Sequence, residues 1–178
     1  NLEQYRNYGI ESRFITAYQL GKQAHNIAFG VRANTGNTHR DAEGKGTKGS
    51  DYDVTVEAAF PNSISFTSKN AAAFAENIFR LNNKFILIPG IRMEYLEGAA
   101  AGRIGFDTNG SSIELQNIKR SRSFIMAGIG AEYHVGTSIE FYANITQAYR
   151  PIQFANLQAP PGTDIIDPNL KDARGYNF

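Results

Sequence analysis

Residues Phe85 to Glu97 read FILIPGIRMEYLE. Side chains of a strand point to alternate faces, so this run separates into Phe85, Leu87, Pro89, Ile91, Met93 and Tyr95 on one side and Ile86, Ile88, Gly90, Arg92 and Glu94 on the other. The first face is wholly apolar; the second carries a glycine, a guanidinium and a carboxylate. A tilted strand crosses the hydrocarbon of a bilayer in ~9 to 11 residues, and this run is long enough. What the apolar face meets, lipid or a protein core, decides the fold.

Bulk composition narrows the choices. The 178 residues carry 18 Lys+Arg against 17 Asp+Glu, a near balance that gives no long-range field for nucleic acid. Cysteine is absent, which removes disulfides, thiolate metal sites and thiol catalysis together. No apolar run approaches the ~20 residues of a membrane helix, so a membrane crossing would have to use strands. The chain starts at Asn1 without a charged and apolar leader and stops at Phe178; the expectation is a piece of a longer protein.

Alternation recurs on both sides of the central run. Tyr5 to Tyr18 is predicted as a strand with Tyr8, Ile10 and Phe14 on one face, and His25 to Asn34 as a second with Ile27, Phe29, Val31 and Ala33 on one face. QLGKQA, Gln19 to Ala24, is a short connection, and Thr35 to Ser50 is a long polar loop, with Asp51 to Asn70 read either as its continuation or as a hairpin. Ala71 to Leu81 has a helix-compatible spacing, but LNNK at Leu81 to Lys84 reads as a tight turn into Phe85, so the segment is predicted as a strand whose facing is open. Gly98 to about Lys119 is a long loop. Phe124 to Tyr133 places Ile125, Ala127, Ile129, Ala131 and Tyr133 on one face, HVGT turns, and Ser138 to Arg150 places Ile139, Phe141, Ala143 and Ile145 likewise. Pro151 to about Arg174 is a third long loop.

Short and long connections therefore alternate. Antiparallel strands with short turns at one rim and long loops at the other describe a transmembrane β-barrel, with turns toward the periplasm and loops outside. The expected fold is all-β, a segment of such a barrel. A lipocalin-like barrel or β-sandwich binding module shows the same alternation turned inside out, and stays open at this point. Enzyme motifs are missing: no G-x-S-x-G, no H-E-x-x-H, no phosphate loop, since GKGTKG lacks the required ending. No cofactor is called for.

FAENIFRLNNKFILIPGIRMEYLE resembles the barrel hairpin of TonB-dependent outer-membrane transporters, in which a strand, a short turn and a PG-apolar-Arg strand recur in this order. YGIESRF followed by AHNIAFGVR, FYANITQAYRP, and DPNLKDARGYNF fit the same family in order and spacing, so the resemblance covers nearly the whole chain. ESRF, AHNIAFGVR and IPGIRMEYLE bring it nearest to the ferric dicitrate branch. The resemblance implies residues 1–178 as a central part of the barrel, six or seven of the about 22 strands of a complete one, without the plug domain that engages the TonB energising complex. It implies a Gram-negative outer-membrane location, contact with outer-membrane lipid, and import of a ferric chelate or another small anionic ligand such as ferric citrate; other members take glycans. By the same resemblance, Arg32 in FGVR and Arg92 in PGIR match ligand arginines, with Gln153 past the YRP corner as a vestibule contact. A third arginine of that branch falls at or near Ala17, where this sequence has none. Pairing of lumen arginines with Glu94 or Glu11 is the plainer alternative.

Overall fold

The computed structural model describes residues 1–47, 52–53, 55–115, 118–150 and 172–178. Eight strands form one sheet: β1 (Leu2–Leu20), β2 (Gln23–Ala42), β3 (Asn62–Arg80), β4 (Phe85–Phe106), β5 (Ser112–Glu114), β6 (Ile118–Val135), β7 (Ile139–Arg150) and β8 (Ala173–Asn177). Their order is β1-β2-β3-β4-β6-β7-β8, with β5 pairing β4 off this path. Each long strand thus lies beside its sequence neighbour, as in an up-and-down barrel wall, and the fold is all-β and antiparallel. No helix among the described residues is long and apolar enough to cross a membrane.

The short turns have separate local causes. Gly21 and Gly136 take positive φ of 63° and 68°, the conformation that side-chain-bearing residues resist. Between β3 and β4 no glycine is needed: the Asn82 Oδ1 accepts from the Lys84 and Phe85 amides at 2.8 and 2.9 Å, and the Leu81 amide donates to the Phe85 carbonyl at 3.0 Å. His25 lies within β2 and is buried. Its ring sits between Tyr18 and Phe79, centroids 5.3 and 5.7 Å away, and its Nδ1 accepts the Arg80 backbone N–H at 3.1 Å.

The strands run well past their expected ends. β2 continues to Ala42, β3 begins at Asn62, β4 reaches Phe106 and β6 starts at Ile118, so much of what reads as loop at Thr35–Asn70 and at 98–119 is strand. Among the described residues the strands number eight rather than six or seven, with the short β5 and β8 included. In these extensions the sequence loses its apolar alternation, yet the backbone keeps its hydrogen-bonded neighbours. Ala71 to Arg80 is strand, as expected, within β3. The closing residues form β8, which pairs β7 from Thr146↔Asn177 to Arg150↔Ala173. The expected loop 151–171 lies outside the described residues.

Internal contacts divide the chain into two units, one of Asn1–Ile10, Arg32–Ala71 and Tyr95–Ser123, the other of Glu11–Val31, Ala72–Glu94 and Phe124–Phe178. In the second unit the apolar faces are bare. Phe14, Phe29, Val31, Ile91, Met93, Ile125, Ile129, Ile139, Phe141 and Ile145 are all exposed, while Arg92 and Glu94 between them are half-buried. Phe14 and Phe29 stack across β1 and β2 at 5.5 Å on that face. Among the described residues only Ile64, Ala72 and Ala100 are buried apolar side chains. A water-soluble domain of this length would hide many more. The apolar faces therefore look away from a protein core, as a lipid-facing wall requires, and the inside-out reading fails.

Close packing at Phe74 on the opposite face depends on Gly30. A Cβ on Gly30 would stand 2.4 Å from the Ser12 carbonyl oxygen and 2.7 Å from the Phe74 ring. Two outcomes follow. Ile91→Arg on the lipid face is expected to destabilise the barrel by ~2 to 4 kcal/mol at mid-bilayer depth, read as the shift in urea midpoint of the intact protein in lipid vesicles. Gly30→Ala is expected to cost about 1 to 3 kcal/mol through overpacking, read in the same assay; an unshifted midpoint in either variant contradicts the facing assigned here.

Candidate functional site

On the face opposite the apolar one, the second unit collects charge around a single ring. Phe74 on β3 lies between two guanidiniums: Arg13 on β1 at 5.8 Å and Arg92 on β4 at 5.7 Å from its centroid. Each arginine is tethered by the carboxylate two residues away on its own strand. Glu94 Oε1 accepts from Arg92 Nε at 2.5 Å, and Glu11 accepts from Arg13 Nε. Same-strand residues two apart share a face, so E-x-R on β1 and R-x-E on β4 produce this tethering from sequence spacing alone. The side chain of Arg92 is 31 % exposed and that of Arg13 70 %. Neither tether closes the whole fork: it engages Nε and leaves the Nη side of the planar group directed elsewhere.

Beside Arg92 the wall is hollowed. A cavity of about 450 Å³ is bordered by Phe74, Glu76, Arg92, Met126, Asn144 and Thr146. Gly90, Gly128 and Gly130 on β4 and β6 also line it, and the missing side chains deepen it. The β6–β7 ladder there runs from Gly128↔Thr146 to Val135↔Ile139. Just past its end, the Gln147 Oε1 accepts the Ala127 amide at 3.0 Å and substitutes for a backbone partner. The combination is a guanidinium, a carboxylate, an aromatic face, an amide and a hydroxyl on one concave surface. Such a surface can bind a small polar or anionic molecule through charge-assisted hydrogen bonds.

Of the residues singled out by sequence, Arg92 is in this cavity. Arg32 belongs to the first unit; its Nε and Nη2 donate to the Asn34 side-chain oxygen at 2.8 and 3.3 Å once that amide is oriented to face the guanidinium. Gln153 lies outside the described residues. Sequence reasoning missed Arg13 and Phe74 as partners of Arg92. The signal for Arg13 was present, in its shared face with Glu11, but Phe74 could be placed only when the facing of β3 was known.

Two other groupings are visible. In the first unit a cavity of about 480 Å³ is bordered by Gln4, Arg6, Tyr8, Thr35, Asn37 and His39. At the β6–β7 hairpin, Glu132 and Glu140 flank His134, one carboxylate 3.8 Å from Nε2 and the other 3.7 Å from Nδ1. One ligand atom from each lies within 4.8 Å of the others, a spacing that would admit a cation. Tyr149 stacks on Phe124 at 3.7 Å and donates to Asp172 at 2.5 Å.

Solved structures share this fold. The ferric-catecholate import receptor Fiu of E. coli K12, in its closed form, superposes with a TM-score of 0.76 over 98 % of this chain and 28 % of its own, at 16 % identity. The copper transporter OprC gives 0.59 over 87 % of this chain and 24 % of its own, at 17 % identity. The chain thus spans roughly a quarter of the length of these structures, and at such identity the likeness is one of fold. A search of curated proteins gives no match. The family model described as TonB dependent receptor-like, beta-barrel, matches residues 1–178, and the chain belongs to that family, whose members are receptors and transporters of the Gram-negative outer membrane.

Proposed function

We propose that this chain is a central part of the barrel wall of a TonB-dependent importer of a ferric chelate, of which ferric citrate or another siderophore is the cargo. The observation that carries the reading is the Arg13–Phe74–Arg92 arrangement on the face turned from lipid. A ferric chelate of this kind is anionic and rich in oxygen, and a guanidinium offers two parallel donors to a carboxylate. An aromatic ring between two guanidiniums holds both upright over the wall through cation–π contact. Arg32 and Gln153 are further candidate contacts for the same cargo. The motifs ESRF, AHNIAFGVR and IPGIRMEYLE support the ferric dicitrate branch, while the structural likeness to a ferric-catecholate receptor supports a ferric cargo more broadly. Import would draw on the TonB complex through a plug domain carried elsewhere in the intact protein.

Removing a charged hydrogen-bond donor costs about 1.5 to 3 kcal/mol, or roughly ten- to a hundredfold in affinity. Arg32→Ala combined with Arg92→Ala in the intact protein is expected to weaken equilibrium binding of radiolabelled ferric citrate by at least about tenfold, with barrel assembly preserved on gels of unheated samples. Unchanged affinity removes these arginines from the site. Binding of a ferric catecholate but not of ferric citrate by the unaltered protein rejects the dicitrate branch and retains the family.

A further inference from the structure

The hairpin of β6 and β7 gathers an imidazole and two carboxylates that the cargo cavity does not use. Glu132 and His134 stand two residues apart on β6 and share a face, and the ladder sets Glu140 of β7 directly across from His134. The face is that of Gly128 and Gly130, opposite the one on which Tyr133, Ile139 and Phe141 are exposed. Glu132 Oε2 is 3.8 Å from His134 Nε2, and Glu140 Oε2 is 3.7 Å from Nδ1. The side chains of Glu132 and His134 are 31 % and 34 % exposed, so the group is sheltered yet reachable from water.

Charge is left over here. Glu11, Glu94 and Glu57 are each met by a permanent cation, Arg13, Arg92 and Lys45 in turn. Among the described residues, Glu132 and Glu140 have no lysine or arginine at ion-pair distance and share only His134, a group that is cationic only when protonated. The frame beneath them is fixed. His134 N–H donates to the Lys84 carbonyl at 2.8 Å, and Gly136, at φ 68°, closes the turn two residues on. His134 also lies four residues beyond Gly130 at the edge of the cargo cavity, ~13 Å at the rise of a strand. The two sites are separate.

We propose that Glu132, His134 and Glu140 bind a divalent cation of the zinc type, which ties β6 to β7 beside their turn. One imidazole nitrogen with two carboxylate oxygens is a donor set that zinc accepts, and the imidazole favours it over magnesium and calcium, which take oxygen. Bonds of ~2.0 to 2.2 Å place neighbouring ligand atoms of a tetrahedral site ~3.5 Å apart. One donor atom from each residue already falls within 4.8 Å of the others, so side-chain rotation on the fixed backbone closes the site. The cation supplies the charge that the two carboxylates lack, and three protein donors leave its fourth position to water.

The test takes the intact protein in detergent, stripped with a chelator and kept free of any ferric chelate, and counts bound zinc by mass spectrometry after dialysis against a series of buffered Zn²⁺ concentrations. Saturable binding is expected to persist in excess Mg²⁺ and Ca²⁺. His134→Gln and Glu140→Gln are each expected to raise the Kd of one zinc equivalent by at least about tenfold, while His134→Cys, which supplies a thiolate, keeps it. Absence of saturable zinc binding overturns the proposal. So does an unchanged zinc isotherm in the two glutamine variants, each verified as assembled by gel migration without heating, or displacement of the zinc by Ca²⁺.

Discussion

A backbone amide or carbonyl without a partner costs several kcal/mol in hydrocarbon, because no water is there to replace it. Everything in this chain follows from that constraint. It forces each crossing segment to be a strand with a neighbour on both sides, which is why β1 to β4 and β6 to β8 succeed one another in sheet order. It also reverses the usual placement of side chains. Ile91, Met93, Ile129 and Phe141 are the exposed residues, and Arg92 and Glu94 are the sheltered ones.

Because stability is supplied by the ladder and the lipid, the face away from lipid is released from the demands of core packing. Charge is stored there in short tethers, Glu11 with Arg13 and Glu94 with Arg92, each within one strand. A same-strand pair needs no help from tertiary structure to find its partner, and a pair this open to water adds little to stability. Its value is positional. The tether fixes the stem of the guanidinium at Nε, and Phe74, admitted by the bare Cα of Gly30, supports two such groups from the strand between.

The strand extensions show where pattern reading stops. Alternation is imposed by an oil–water difference between the two faces, and it exists only where the bilayer touches the wall. Beyond Val31 on β2 and beyond Tyr95 on β4 the apolar alternation stops, although Ala100 is still buried. Gly, Thr, Asn and Lys then serve as well as Val, and the sequence reads as loop. The strands nevertheless continue, held by backbone pairing and by cross-strand contacts such as Arg40 with Glu3 at 2.6 Å and His39 with Ser65 at 2.9 Å.

The sequence by itself determined the fold class, the rhythm of short turns and long loops, the lipid-facing set on β4, β6 and β7, and Arg92 with Glu94 as neighbours. Those features are local: each depends on residues two apart or on a turn of a few residues, so spacing encodes them. Only the tertiary structure decided that Ala71 to Arg80 turns Phe74 toward Arg13 and Arg92, and that Lys69 and Lys119 meet at Glu97. Both depend on register between strands many residues apart. Register follows from the summed fit of whole strands, and the alanines at 71, 72, 73 and 75 give the segment containing Phe74 no preferred face of its own.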